Sequence, residues 1–281
     1  MSAPSISVVV TTYENPRALD AVLRSLSEQS DPDFEIVVAD DGSEDETAAV
    51  VDDWNKRFGD RLRHVRQPHE GARVARTRNL GAEAARGEHV AFLDGDSVPR
   101  RQLVQALRRS SVPGWFAATY RFDLPPELTS TILDQRLALH RWGLATWARR
   151  LGRGYGSLMW LTPRDRRRVG RSDLPDFSPP LNNYGFVFVS RADLERVNGY
   201  DMRYRDWGGE DHDLGIRLRR LGLRCGWPGP SGALFHLWHE SRKDTRSYKE
   251  TLRETARSDR VEAISGLREL AAELDGTQVN A

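Results

Sequence analysis

The sequence predicts an α/β protein with a mostly parallel central sheet flanked by helices, and three observations carry that prediction. Ile6 to Val10 is a short, largely β-branched run, read as a buried parallel strand, and further short strands read at Phe34 to Ala39, Leu62 to Val65 and Val90 to Leu93. Between them lie segments with apolar residues at three- and four-residue spacing, the mark of helices with one buried face. Thr11, Asp41 and Asp94 each fall just after a strand end, where ligands of open α/β sheets bind.

Thr11-Thr12-Tyr13-Glu14-Asn15-Pro16 breaks the first strand, and a helix starts near Pro16 with Leu19, Val22, Leu23 and Leu26 on one face. Asp40-Asp41-Gly42-Ser43 ends the second strand. The next helix opens in Glu44-Asp45-Glu46, acids that suit a helix N-terminus, and its apolar positions include Ala49, Val50 and Trp54. Gly71 to Ala85 reads as a helix carrying Arg73, Arg76, Arg78 and Asn79. Alternation of strand and helix through residue 110 implies parallel pairing with helices on both faces.

The middle of the chain reads differently. Trp115 to Phe122 is expected as one strand, stopped by Pro125-Pro126, and Glu127 to Arg150 as one helix with Leu128, Ile132, Leu133, Leu137, Leu144 and Trp147. Residues 152–183 are rich in Gly, Pro, Arg and Asp and read as a long loop, a binding segment or lid. Asn182 to Val189 is a strand, Arg191 to Val197 a short helix, and another helix begins within Glu210 to Leu221. The charged tail after Ser241 is expected to be helical to about Leu274.

Composition narrows the function classes. Of 281 residues 38% are hydrophobic and 30% charged, with a net charge of +1, a balance that gives no reason to expect nucleic acid as a partner. Arginine clusters at Arg149-Arg150 and Arg166-Arg167-Arg168 read as solvated surface, or as contact with an acidic acceptor, a membrane surface or a partner. Cys225 is the only cysteine, so an intrachain disulfide is excluded and a reducing compartment fits. No signal peptide is expected, because no basic region precedes the first apolar run. No apolar stretch approaches the roughly 20 residues that span a bilayer. The expectation is a soluble cytoplasmic protein, with room for peripheral contact at the inner membrane face.

Three clusters carry chemistry. The run Val90-Ala91-Phe92-Leu93 ends in Asp94-Gly95-Asp96. Paired carboxylates at a strand end can hold Mg²⁺ or Mn²⁺ on a diphosphate, and the glycine lets backbone and substrate approach; an ordinary Asp-Gly turn is the alternative. His236 and His239 follow the apolar Ala233-Leu234-Phe235 and read as further ligands, although an isolated histidine is more often core or surface. A zinc-only structural site is disfavoured, since one cysteine cannot build a sulfur-rich shell. Glu210 and Asp211 follow Gly208-Gly209 and Trp207. A carboxylate there can take a proton from an attacking hydroxyl, whereas acids at a helix start are also simply stabilising. Of Arg73, Arg76 and Arg78, one or two are expected to reach a nucleotide or its phosphates, with a solvated helix face as the alternative; Arg73 and Arg76 share a face and are taken as the donor-binding pair. Trp142 and Trp147 read as core in preference to an acceptor platform.

Together these residues resemble the family 2 glycosyltransferases, with the GT-A fold. The carriers are Ser7-Val8-Val9-Val10-Thr11-Thr12-Tyr13, Val38-Ala39-Asp40-Asp41-Gly42-Ser43, Ala75-Arg76-Thr77-Arg78-Asn79 and Asp94-Gly95-Asp96. Asn198-Gly199-Tyr200-Asp201, Trp207-Gly208-Gly209-Glu210-Asp211 and the histidines look like the C-terminal region of β-1,4-galactosyltransferases and chondroitin-type polymerases. The resemblance covers roughly residues 5–124 and 181–240. It implies that Thr11, Tyr13, Glu14 and Asp41 hold the nucleoside side of a donor, with Asp41 near the base and Asp94 near ribose and sugar. Asp96, His239 and His236 would bind Mn²⁺ or Mg²⁺, Asp211 would be the catalytic base, and Glu210 and Trp207 would position the acceptor. Ser97, Arg78 and His212 depart from the usual family pattern and leave donor preference open.

The expected function is metal-dependent, inverting transfer from a UDP- or dTDP-linked sugar to a glycan, lipid-linked, natural-product or peptide acceptor. A non-catalytic nucleotide-sugar-binding protein is the alternative, and a sugar nucleotidyltransferase the next. The expected organisation is one continuous domain: a donor half over 1–124, an insertion over 125–180, an acceptor and base half over 181–240, and a helical tail over 241–281.

Overall fold

The computed structural model describes residues 5–119, 121–143, 146, 186–205, 208–240 and 248–279. The first half is a regular alternation: β1 (Ile6–Thr12), α1 (Pro16–Ser27), β2 (Glu35–Asp40), α2 (Asp45–Phe58), β3 (Leu62–Arg66), α3 (Val74–Ala84) and β4 (His89–Asp94). Then come β5 (Ser97–Pro99), α4 (Leu103–Ser110), β6 (Trp115–Ala118), β7 (Arg121–Asp123) and α5 (Pro126–Asp134). After residue 185 follow β8 (Phe186–Ser190), α6 (Arg191–Arg196), α7 (Glu210–Arg220), β9 (Arg224–Gly226), β10 (Leu234–His236), α8 (Tyr248–Arg257) and α9 (Leu267–Val279).

Among the described residues, seven strands form one sheet in the order β3-β2-β1-β4-β8-β6-β9, and four of its six pairings are parallel. Side chains of successive strand residues point to opposite faces, so both faces of these apolar strands are buried in separate cores. Val8, Val10, Ile36, Val38, Ala91 and Leu93 pack with α1, α2, α4 and β10 on one face. Val9, Val37, Ala39, Val90 and Phe92 pack with α3, α6 and α7 on the other. Each fully buried valine contributes about 1.5–3 kcal/mol of apolar burial, which explains why these strands lack polar alternation.

Local signals place the helices. Asn15 Oδ1 accepts from Ala18 N–H at the start of α1, and Pro16 occupies the first turn, where its missing N–H is harmless. Acids Asp45 and Glu46 open α2, and Lys56 and Arg57 close it, both favourable to the helix dipole. Gly81 seats α3 directly on β1: a Cβ there would stand 2.3 Å from Val9 Cγ1.

Three expectations are corrected. Trp115 to Phe122 is not one strand; β6 joins the large sheet, while β7 joins β5 and β10 in a three-stranded sheet. The chain crosses over at Thr119, whose hydroxyl donates to Gly232 O at 2.8 Å. Glu127 to Arg150 is not one helix, because α5 stops at Asp134 and Arg136 adopts φ +48. Its carbonyl accepts from Arg24, and the chain turns back to bury Leu139. Trp142 packs against the first core, whereas Trp147, Arg149 and Arg150 lie outside the described residues. The tail is two helices, α8 and α9, because residues 258–266 break to pack along the Asn198 turn. The expected loop over 152–183, with Arg166-Arg167-Arg168, lies outside the described residues. Among those described, no helix is long and apolar enough to cross a membrane.

Candidate active site

Register brings the polar strand ends together: Thr11 of β1 pairs with Ala39 of β2 on one side and Asp94 of β4 on the other. A cavity of about 540 Å³ opens there. Thr11, Tyr13, Glu14 and Asp41 line one side, and Asp94, Asp96, Arg121, Asp123, His236, Trp238 and His239 the other. Tyr13 stacks on His69 with ring centroids 4.2 Å apart. Glu14 is held at φ +47, its N–H donating to Ser43 Oγ at 2.9 Å and its carboxylate accepting from Glu44 N–H at 2.6 Å. Asp41 is buried, with Oδ1 accepting from Gln67 Nε2 at 2.5 Å and Oδ2 from Arg73 N–H at 3.0 Å.

Arg73 and Arg76 do not line this cavity, contrary to the expectation for their side chains. The Arg73 guanidinium donates to Glu70 and to Pro68 O. Arg76 donates to Gln67 Oε1 at 2.6 Å and to Glu273 at 3.0 Å, so it reaches Asp41 only through Gln67.

The second cluster is built by the small sheet. Gly95 N–H donates to Thr11 O at 2.8 Å, and a Cβ on Gly95 would stand 2.8 Å from that same oxygen. The antiparallel β5–β10 pairing sets His236 opposite Ser97, and Leu237 N–H donates to Asp96 O at 2.9 Å. His236 Nε2 lies 3.5 Å from Asp96 Oδ1, and His239 Nε2 lies 3.4 Å from Asp96 Oδ2. One ligand atom from each of the three residues falls within a 4.8 Å group. His236 Nδ1 sits 3.0 Å from Asp123 Oδ1, an acid behind a histidine of the kind that orients metal-bound imidazole. One carboxylate and two imidazoles can together hold a divalent cation. Burial opposes ionisation of Asp96, yet His236, His239 and Arg121 hold its carboxyl below the usual range. Burial likewise opposes the His236 charge, but Asp123 and Asp96 carry its pKa up to about 9.

The third cluster centres on Arg78, buried at 3% exposure. Its Nη2 donates to Asp94 Oδ1 at 2.8 Å, and its Nη1 to Glu210 Oε1 at 3.0 Å and Asp211 Oδ1 at 2.9 Å. Tyr200 OH donates to the same Asp211 oxygen at 3.0 Å. Gly208 and Gly209 precede α7 at φ +109 and +85, and a Cβ on Gly209 would stand 2.7 Å from the Tyr248 ring. Glycine is therefore required where the acids enter the helix. Burial pushes the Asp211 carboxyl up to about 8; Arg78 pulls it down, and the charges of Glu210 and Asp94 push it up. Glu210 Oε2 is buried with no hydrogen-bond partner among the described residues. Asp211 and Glu210 stand just behind the cavity wall, joined to it by Arg78 and Asp94. Trp207 lies outside the described residues.

The sequence reading did not assign Arg78, Tyr200, Arg121 or Asp123 to the site. Arg121 stands 3.6 Å from Asp94 Oδ2 and 3.4 Å from Asp123. Its one available signal is the polar–apolar–polar alternation Arg121-Phe122-Asp123, which a half-buried strand shows.

Residues 7–110 match the family described as glycosyl transferase family 2. The chain carries a family 2 glycosyltransferase domain. Residues 167–240 match a second family, described as the N-terminal domain of galactosyltransferase. The chain is 35% identical over 234 residues to validoxylamine A glucosyltransferase of Streptomyces hygroscopicus subsp. jinggangensis, covering 78% of this chain and 52% of that protein. It is 27% identical over 230 residues to chondroitin synthase of Pasteurella multocida, covering 76% of this chain and 23% of the synthase. It thus spans about half the length, or less, of these curated relatives. Among solved structures, the mannosyltransferase PcManGT from Pyrobaculum calidifontis, in complex with GDP-Man and Mn²⁺, superposes with a TM-score of 0.58 at 18% identity, over 100% of this chain and 77% of that one. S. aureus TarS in complex with UDP gives 0.63 at 14% identity, over 99% and 72%. The family 2 domain therefore has the GT-A fold, a mixed α/β architecture with a mostly parallel central sheet.

Proposed function

We propose that this chain transfers a sugar from a nucleoside diphosphate sugar to an acceptor hydroxyl, with inversion at the anomeric carbon. The observation that carries the reading is the linkage of one cavity to a poised acid: Asp94 in the cavity wall is joined by Arg78 to Asp211. On this reading residues 1–124 form the donor half, and residues 181–240 bring the base and the histidines. A reducing, cytoplasmic setting fits its single buried thiol, Cys225.

The donor's nucleoside belongs on the Thr11, Tyr13, Glu14 and Asp41 side. Thr11 Oγ1 is buried without a hydrogen-bond partner among the described residues, as a hydroxyl kept for a ligand would be. Each Asp41 oxygen already accepts one hydrogen bond and has a second lone pair for a base N–H, which we assign to uridine or thymidine. Asp96, His236 and His239 fit a divalent cation, Mn²⁺ or Mg²⁺. When bound it supplies Lewis-acid neutralisation of the diphosphate. Arg121, in the same wall, adds positive charge beside the leaving group.

Asp211 accepts the acceptor's hydroxyl proton as the oxygen bonds to the anomeric carbon. The bond from that carbon to the diphosphate oxygen breaks, and the nucleoside diphosphate leaves with the electron pair. A base with a pKa near 8 is matched to proton transfer near neutral pH. Arg78 and Tyr200 both occupy Oδ1, so Oδ2 is the proton-accepting atom. The test is release of nucleoside diphosphate from UDP- and dTDP-sugars with and without Mn²⁺, beside Asp96→Ala. Binding without turnover under all conditions would instead make this a nucleotide-sugar-binding protein.

A further inference from the structure

We propose that the C-terminal segment 258–279 is a brace for the base, with Tyr200, Asn198 and Glu269 as positioning residues; the inference rests on Asp211 being that base. This segment lies outside both matched families, which cover residues 7–110 and 167–240. Nothing in the family resemblance gives it a role.

The route from segment to base is short. Tyr200, fully buried, donates to Asp211 Oδ1. Its backbone is clamped from both ends by Asn79: the amide donates to Tyr200 O at 2.8 Å, and Tyr200 N–H donates back at 2.9 Å. Asn79 adjoins Arg78, so one turn of α3 fixes both donors on Asp211 Oδ1. Tyr200 leaves a turn in which Asn198 and Gly199 have φ +57 and +64. A non-glycine residue in that region is held there by its surroundings.

The C-terminal segment supplies those surroundings. Asn198 Nδ2 donates to Ala263 O at 3.2 Å and Glu269 Oε2 at 2.8 Å, and Asn198 Oδ1 accepts from Arg268 N–H at 2.9 Å. Asn198 O accepts from Leu267 N–H at 3.1 Å. Glu269 Oε2 also accepts from Gly266 N–H at 2.7 Å, closing the loop on itself. The packing leaves no slack: a Cβ on Gly266 would stand 1.8 Å from Asn198 O, and one on Gly199 2.6 Å from Asn79 Oδ1. From its far side the segment also ties to α3, through Glu273 and Arg76. The brace thus holds both the turn and the helix that aim donors at Asp211.

Arg78 from α3, Tyr200 from the turn, Asp94 from β4 and Glu210 from α7 are the titratable groups facing Asp211. Losing the Tyr200 donor removes a bond that favours the carboxylate, so Asp211 must titrate at higher pH. The experiment is a ¹³C-carboxyl NMR titration of the metal-free full chain, with Asp211→Asn identifying the signal. Asp211 should move up in Tyr200→Phe, which keeps the ring. It should move up again in Glu269→Ala, and stay at its wild-type position in Glu269→Gln, which retains an acceptor oxygen for Asn198 and Gly266. A wild-type Asp211 titration in Glu269→Ala, even with a lowered Tm, would overturn the brace. Turnover of UDP-glucose with Mn²⁺ separates this from the parent reading. If Asp211→Asn turns over as wild type does, the base assignment falls and this inference with it; if it loses turnover while the titrations stay put, only the brace falls.

Discussion

Arg78 Nη1 stands 2.9 Å from Asp211 Oδ1, so the acid assigned as base is held by a buried cation. The same guanidinium neutralises Asp94 and Glu210. Removing one partner of a buried ion pair costs about 3–5 kcal/mol, because the remaining charges are stranded. Arg78→Met should lower the Tm markedly in a thermal melt at pH 7.5. Arg78→Lys should recover only part of the loss, since a point charge cannot reproduce the planar fork that reaches three carboxylates. A melt of Arg78→Met that matches wild type would mean the cluster contributes nothing to stability.

Asp211 also shapes the dependence of stability on pH. Its carboxyl is pushed from 3.8 up to about 8 on folding, chiefly by burial. Between those values the folded chain keeps a proton the unfolded chain has released. Its stabilising contribution is therefore complete below 3.8 and is lost as pH rises through about 8. Asp211→Asn cannot titrate, so its Tm relative to wild type should rise between pH 5 and pH 9. Parallel Tm curves for the two proteins would show that the acid is not perturbed.

Turnover should separate donor from base. Asp211→Asn should keep the donor Kd and lower kcat by about 10²–10⁴, as loss of a general base does. Isothermal calorimetry and a nucleoside diphosphate release assay measure the two quantities. Loss of donor affinity together with kcat would move Asp211 to the donor side, and a kcat within about threefold of wild type would make Glu210 the next candidate.

The cation site predicts a graded series. Asp96→Ala should abolish Mn²⁺-dependent donor binding in a folded protein, because Asp96 bridges both histidines. His239→Ala and His236→Ala should each weaken it. Mn²⁺ titrations followed by electron paramagnetic resonance read this directly, and undiminished binding in Asp96→Ala would remove the assignment.

Nucleotide choice is the fifth check. With Asp41 facing a pyrimidine, UDP or TDP should bind more tightly than GDP, and Asp41→Ala should narrow the difference. Tighter GDP binding by calorimetry would count against the Asp41 role.

The residues that were legible in the sequence are those whose signal is local. Strands β1, β2 and β4 read from their apolar runs, and Asp94-Gly95-Asp96 and Gly208-Gly209-Glu210-Asp211 from the chemistry of acids beside glycine. Arg78 was not distinguished from Arg73 and Arg76, because α3 buries Thr77, Arg78 and Asn79 and so has no apolar stripe to mark its inner face. The three-residue strands β5 and β10 exist through their pairing in the small sheet with β7, and no period can show in so short a run. The C-terminal helices read as one because the break over 258–266 answers to the distant Asn198 turn and to no proline.

The central sheet also works as a partition. The wall that bears His236 is rooted in the core containing Leu234 and Phe235, whereas the Asp211 assembly is rooted in the core containing Tyr200 and Leu214. On the proposed roles, the cation site and the base are thus mounted on opposite sides of one wall of hydrogen-bonded backbone. Softening Phe235 and its neighbours should loosen the grip on the cation and spare the acid; softening Leu214 should do the reverse. The two halves of the chemistry can therefore drift in sequence separately, meeting only where Arg78 reaches Asp94.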